Sequence, residues 1–195
     1  MATDLTTTAI LKAWASPDLD SSRDAELALC VTRASVWVEE QSSWVIGTVT
    51  YTAKAFDGDE IRGPNLFLPT RHRYVATPSA ITENGTALTI ATGYDTSADV
   101  IATGLLDRNE QARLQRRGSW SAGLQNIAVT YVAGYAAGSI PADIEQLANE
   151  VAWIFFKAPM SIGRSTVTKA GHAATIDKAL TPLSLMTLER LREAF

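Results

Sequence analysis

At 195 residues the chain is long enough for one domain, or for a small core carrying an inserted module, with roughly two-thirds of the unfolded surface buried on folding. Its 46% hydrophobic and 19% charged residues describe an ordinary soluble globular chain, and a net charge of −4 argues against a nonspecific nucleic-acid binder. The single Cys30 excludes an internal disulfide and fits a reducing compartment; no apolar run of ~20 residues and no basic-then-apolar N-terminus is present, so a soluble, untargeted protein with no membrane partner is expected.

Residues 6–15 read as a short helix capped by a threonine, with Ile10 and Trp14 four apart on one side, and Ser16-Pro17-Asp18 ends it. A longer helix spans 22–41. Ala25, Ala28, Leu29, Thr32 and Val36 make one stripe of it; Leu27, Val31, Ala34 and Val38 make another, nearly opposite, with Glu26, Arg33 and Glu40 as a thin charged seam between. A helix of this kind sits between layers or between subunits.

From Trp44 to about Val132 the pattern changes to short alternating runs punctuated by Gly, Pro, Asn and Asp, which predicts an all-β module of about six or seven strands. The runs are 44–56, 65–68, 80–89, 99–102, 112–116 and 127–132. Asn84-Gly85 supplies the positive φ angles that a two-residue hairpin turn demands. Thr48-Val-Thr-Tyr-Thr-Ala53 echoes Ala128-Val-Thr-Tyr-Val-Ala133, but six residues are too few for a repeat, and two strands needing the same β-branched and aromatic filling account for it.

The stretch from Asn126 to Lys157 organises the chain. Ile127, Val129 and Tyr131 alternate with Ala128, Thr130 and Val132, the pattern of a half-buried strand. Gly134 and Gly138 bracket a turn, and Pro141 opens a helix with Asp143 and Glu145 in its first turn, where the helix dipole favours carboxylates. Ile144, Leu147, Ala148, Val151 and Phe155 form a face to pack on the preceding strand, while Trp153 and Phe156 project from the far side. Either another segment of the same chain covers those two rings or a neighbouring subunit does. Residues 158–175 read as an extended arm, and a last helix opens at Thr181-Pro182 and carries Leu185, Leu188, Leu191 and Phe195 along one side.

The inventory for chemistry is poor. His72 lies in Arg71-His72-Arg73, where flanking cations depress its pKa and a solvated strand end is the ordinary reading; His172 sits in the arm. Neither has a partner at metal-ligand spacing, and Asp57, Asp59 and Glu60 around Gly58 read as a solvated turn rather than a calcium loop. No phosphate-binding glycine loop, nucleophile elbow or dinucleotide fingerprint is present, so no enzyme, metal or cofactor is expected. Arg113, Arg116 and Arg117 alternate with Ala112 and Leu114 as a strand with one polar face, which could touch phosphate.

Ile127-Ala-Val-Thr-Tyr-Val-Ala-Gly-Tyr135 followed by Ile140-Pro-Ala-Asp-Ile144 resembles, residue by residue, the strand–loop–helix phrase of the head-tail connector (head-completion adaptor) proteins of long-tailed bacteriophages and phage-like particles. Phe56-Asp-Gly58, Leu66-Phe-Leu-Pro69 and Asn84-Gly-Thr-Ala-Leu88 resemble the family's other phrases in the same order. The likeness runs from about Ala25 to Phe156; Arg71-His72 stands where the family commonly has a proline, and the segment after Lys157 does not align.

The resemblance implies an α+β fold: two N-terminal helices (1–43), an inserted antiparallel β module with its return strand (44–133), a long central helix (134–157), and an arm with a C-terminal helix (158–195). It also implies a structural adaptor in the virion, at the head-tail junction, assembled in the host cytoplasm. Such proteins form a ring of about twelve copies under the portal protein, continue the channel for double-stranded DNA, and dock a neck, stopper or tail-terminator protein. A closed ring needs heterologous contacts, in which unlike surfaces meet. On that view Leu27, Val31, Val38, Trp153 and Phe156 are candidate subunit-interface residues; Leu185, Leu188, Leu191 and Phe195 meet the portal; and Arg113, Arg116 and Arg117 are candidate DNA-channel residues. The competing reading is a β-sandwich binding module of a virion, of carbohydrate-binding or adhesin type, whose exposed aromatics would cluster on strands.

Overall fold

The computed structural model describes residues 4–15, 19–61, 63–69, 71–72, 74–92, 97–105, 111–157, 176 and 179–193. The fold is α+β and divides into two compact units: Thr48–Tyr135, and the described residues of Thr3–Gly47 with Ala136–Phe195. The arm at 158–175, His172, Arg73 and Phe195 lie outside the described residues.

The first unit holds two four-stranded sheets. One has the order β1 (Val49–Phe56), β8 (Ile127–Ala133), β3 (Ala80–Glu83), β4 (Thr86–Leu88); the other β2 (Asn65–Phe67), β7 (Arg113–Arg116), β6 (Val100–Thr103), β5 (Ile90–Thr92). β8 is buried at every second residue, Ile127, Val129, Tyr131 and Ala133, which is what its alternation predicts for a strand with one covered face. The two echoing segments are antiparallel partners, with Tyr51 opposite Tyr131, so their likeness reflects a shared environment. A bulge between Tyr51 and Lys54 puts Ala53 at φ 47°. Asn84 and Gly85, at φ 50° and 77°, make the expected two-residue turn, with Glu83 opposite Thr86. One pairing differs from an all-antiparallel module: β5 runs parallel to β6.

Glu83 joins the two sheets. Its buried carboxylate on β3 accepts from Ser121 N–H at 2.6 Å and from Arg116 Nε of β7 at 3.3 Å, and Arg116 also reaches the carbonyl of Asp99 at 3.2 Å. The buried Glu83 carboxylate is thus compensated by a half-buried guanidinium from the other sheet, so removal of Arg116 would leave it without its counter-ion.

The second unit contains α1 (Thr8–Ala15), α2 (Asp24–Ser42), α3 (Ala142–Lys157) and α4 (Pro182–Glu193), with a 3-10 turn at Ser21–Arg23 before α2. α3 packs against α2, α4 and α1, and the layer in which it lies is made of helices. Ile144, Leu147, Ala148, Val151, Ala152 and Phe156 are its buried apolar side chains, and Leu5, Leu11, Leu27, Val31, Val38 and Leu188 are among those that join them in the core. Burial of each large side chain contributes about 1.5–3 kcal/mol. Two polar contacts run through this core: Thr6 donates to Asn149 at 2.7 Å, and Ser35 accepts from Leu5 N–H at 2.9 Å. Beyond α2, Glu39 accepts from the N–H groups of Ile46 and Gly47 at 3.0 and 2.8 Å, while burial pushes its carboxyl pKa up.

Candidate assembly surface

The 19 residues of α2 present two apolar stripes 3.6-periodic in the same helix, and the structure treats them differently. Leu27, Val31 and Val38 are 0–2% exposed, covered within their own unit. Leu27 and Val38 are therefore core side chains with no surface for a neighbouring copy to meet, and Val31 shows only its edge, at the floor of a surface groove. Leu29 and Val36, on the other stripe with Ala25, Ala28 and Thr32, are each 50% exposed. The exposed stripe is the one a partner would meet.

On α3, Phe156 is 5% exposed, with the Arg23 guanidinium 4.1 Å from its ring centroid and Trp153 stacked on it at 5.4 Å. Its own chain covers it, so of the two alternatives the first holds for this ring. Trp153 is half-buried, with the Lys157 ammonium 4.7 Å from its ring. Phe155, expected on the covered face, is half-buried as well. Helices lie on several sides of α3, and a reading that assumes one covered face assigns the two phenylalanines the wrong way round.

The C-terminal helix is seated by a carboxylate from α3. Glu150, 5% exposed, accepts from Thr181 N–H at 3.0 Å and from its hydroxyl at 2.8 Å, at the start of α4, where the helix dipole favours a negative charge. Asp143 pairs with Arg190, and Arg192 donates to Gln41. Leu188 and Leu191 are buried by this packing, which removes them from the set available to a portal; Leu185 is half-buried and Phe195 lies outside the described residues. What α4 leaves open is Leu183 and Met186, 56% and 67% exposed. Ile10 and Trp14 of α1 are exposed too, and a groove of about 460 Å³ lies beside Leu5, Ile10, Val31 and Ile140 with Asp4 and Glu145 among its lining.

In the β unit the three arginines separate. Arg116 is committed to Glu83 and to Asp99, and Arg113 donates to the Thr103 hydroxyl at 3.2 Å. Arg117 is exposed, anchored through its backbone N–H to the Asp99 carbonyl at 2.8 Å. His72 is not a solvated strand end. It is fully buried, stacked on Tyr51 at 4.2 Å, and its Nδ1 lies 2.6 Å from the Tyr131 hydroxyl. Burial, reinforced by Lys54 and Arg71, lowers its pKa to about 4, and burial pushes the Tyr131 phenol up. Nor is the Asp57–Glu60 turn merely solvated. Asp57 accepts from Gln125 N–H at 2.5 Å, Asp59 from Gly123 N–H at 3.0 Å, and Asn126 Oδ1 from Gly58 N–H at 2.9 Å. Leu124, between the two held amides, is 79% exposed, and Phe67 on the outer face of the second sheet is 52% exposed. Sequence reasoning missed both; the available signal for Leu124 was a lone leucine in a Gly-Leu-Gln-Asn turn.

Among the described residues, no three His, Cys, Asp or Glu side chains are grouped to hold a metal ion, and no helix is long and apolar enough to cross a membrane.

An α+β chain with these two units aligns with solved structures over nearly its whole length. A chain of the neck of the native gene transfer agent (GTA) particle computed with C12 symmetry matches with a TM-score of 0.55, at 18% identity, over 98% of this chain and 94% of that one. The fold is shared. A chain of the neck of the empty GTA particle computed with C6 symmetry gives a TM-score of 0.52 at 19% identity, over 93% and 95% of the two chains. A chain of the virion of the native GTA particle gives 0.54 at 17%, over 91% and 81%. No protein-family model and no curated protein matches the chain.

Proposed function

We propose that the protein is a non-catalytic structural component of the neck of a phage-like particle, forming a ring of copies between the portal and the next neck protein. The observation that carries this reading is the shared fold over 98% of the chain with a protein of a GTA neck computed with C12 symmetry. The surface is compatible. Among the described residues, six of the eight large exposed hydrophobic side chains, Ile10, Trp14, Leu29, Val36, Leu183 and Met186, lie on helices, on α1, α2 and α4. A head-to-tail ring joins unlike faces of successive copies, and exposed apolar stripes on α2 and α4 supply two. Leu183 and Met186, beside half-buried Leu185, replace Leu188 and Leu191 as the α4 side chains that can reach a portal. A net charge of −4 suits a conduit through which double-stranded DNA slides with few phosphate contacts. A β-sandwich binding module is favoured less, because among the described residues only one exposed aromatic, Phe67, lies on a strand.

Electron cryomicroscopy of the protein mixed with its portal tests the proposal. A ring of this chain, coaxial with the portal, is expected; density confined to the outer surface of a capsid or tail would overturn it in favour of the binding module.

A further inference from the structure

Leu124 combines extreme exposure with a fixed backbone. The amides on either side of it are held by Asp59 and Asp57, the Asn126 side chain ties Gly58 N–H to the carbonyl of Ser121, and a Cβ on Gly58 would meet that carbonyl at 2.0 Å. Segments more than sixty residues apart in sequence are thereby locked together around a leucine that is 79% exposed. Ordering a loop loses conformational entropy, and holding an apolar side chain in water gains nothing within the protomer. Both features fit a preorganised anchor, whose ordering is complete before a partner arrives.

We infer that Leu124 inserts into the β unit of the next copy, at the depression lined by Pro64, Ala98, Ile101, Gln115 and Arg117. This inference rests on the ring reading above. The depression measures about 320 Å³ and its lining includes apolar Pro64, Ala98 and Ile101 together with the exposed Arg117. The charges complement one another. The anchor is flanked by Asp57, Asp59 and exposed Glu60, whereas the depression carries Arg116, already bound to Glu83, and Arg117, whose side chain pairs with no carboxylate among the described residues. Knob and socket are different surfaces of one chain, so their union is heterologous and propagates from copy to copy as a ring requires.

Cysteine cross-linking of assembled rings tests this. Cys30 is buried, so the parent supplies no surface thiol. Leu124→Cys with Gln115→Cys is expected to give, on mild oxidation, a covalent ladder extending beyond dimers, and neither single variant a ladder. Leu124→Ser is expected to raise the concentration at half-assembly about tenfold or more, the loss of one buried leucine. Arg117→Glu and Glu60→Arg are each expected to weaken assembly and their combination to restore it. A ring that forms with Leu124→Ser as with the parent, and without a ladder, overturns the inference and leaves the ring reading intact. Dimers from Leu124→Cys alone reveal a two-fold contact and also overturn it. A parent that forms no ring on its portal removes the ring reading, and this inference with it.

Discussion

Glu150 of α3 grips Thr181 at both its backbone amide and its hydroxyl, at 3.0 and 2.8 Å, and so fixes where α4 begins. The carboxylate does across space what an N-cap side chain does within a helix. Glu150→Ala should destabilise the protein by about 1–2 kcal/mol, the usual loss for a cap. Amide exchange would show the loss concentrated in α4, while amides of β8 keep their protection.

His72 gives the β unit an acid sensitivity with a definite sign. Its folded-state pKa, about 4, lies below the ordinary value of 6.5, so its contribution is complete above pH 6.5 and is lost as pH falls toward 4. Stability measured by urea unfolding should fall by up to about 1.4 kcal/mol per pH unit in that window. His72→Phe should flatten this slope, because a neutral ring can occupy the stack on Tyr51 without taking up a proton.

Gly58→Ala should unlock the loop that carries Leu124. A methyl group at 2.0 Å from the Ser121 carbonyl forces the two turns apart. The expected loss is roughly 3 kcal/mol, typical of overpacking against backbone. Differential scanning calorimetry measures it, and Gly85→Ala, where nothing lies within 4 Å and only a φ of 77° is strained, should lose about 1 kcal/mol.

Much of the β unit was legible because its signals are local. Asn84-Gly85 names its own turn type, and the alternation of Ile127, Val129 and Tyr131 names the covered face of β8. β5 escaped, since Ile90–Thr92 is too short to show a period. The helical unit was legible in its elements and not in its faces. α2 has two apolar stripes of similar composition, and only the tertiary arrangement decides that Leu27, Val31 and Val38 go inside while Leu29 and Val36 stay out. His72 was misread for the same reason: its neighbours in sequence are cations, but its neighbours in space, Tyr51 and Tyr131, come from β1 and β8. The Leu124 loop depends on side chains at Asp57 and Asp59, far away in sequence, and nothing in a short window announces it.

Leu29→Asp and Val36→Asp place charges on the exposed stripe of α2. Because both side chains are already 50% exposed, protomer stability should change by less than about 1 kcal/mol. Assembly should fail in the double variant, with sedimentation velocity showing only the protomer.

Native mass spectrometry of the protein with and without its portal bears most directly on the claim that this chain works as one of many identical copies. A species at a fixed integer multiple of the protomer mass is expected, twelve if the ring follows the C12 symmetry of the GTA neck. A protomer that stays single at every concentration, and on the portal as well, would contradict the account.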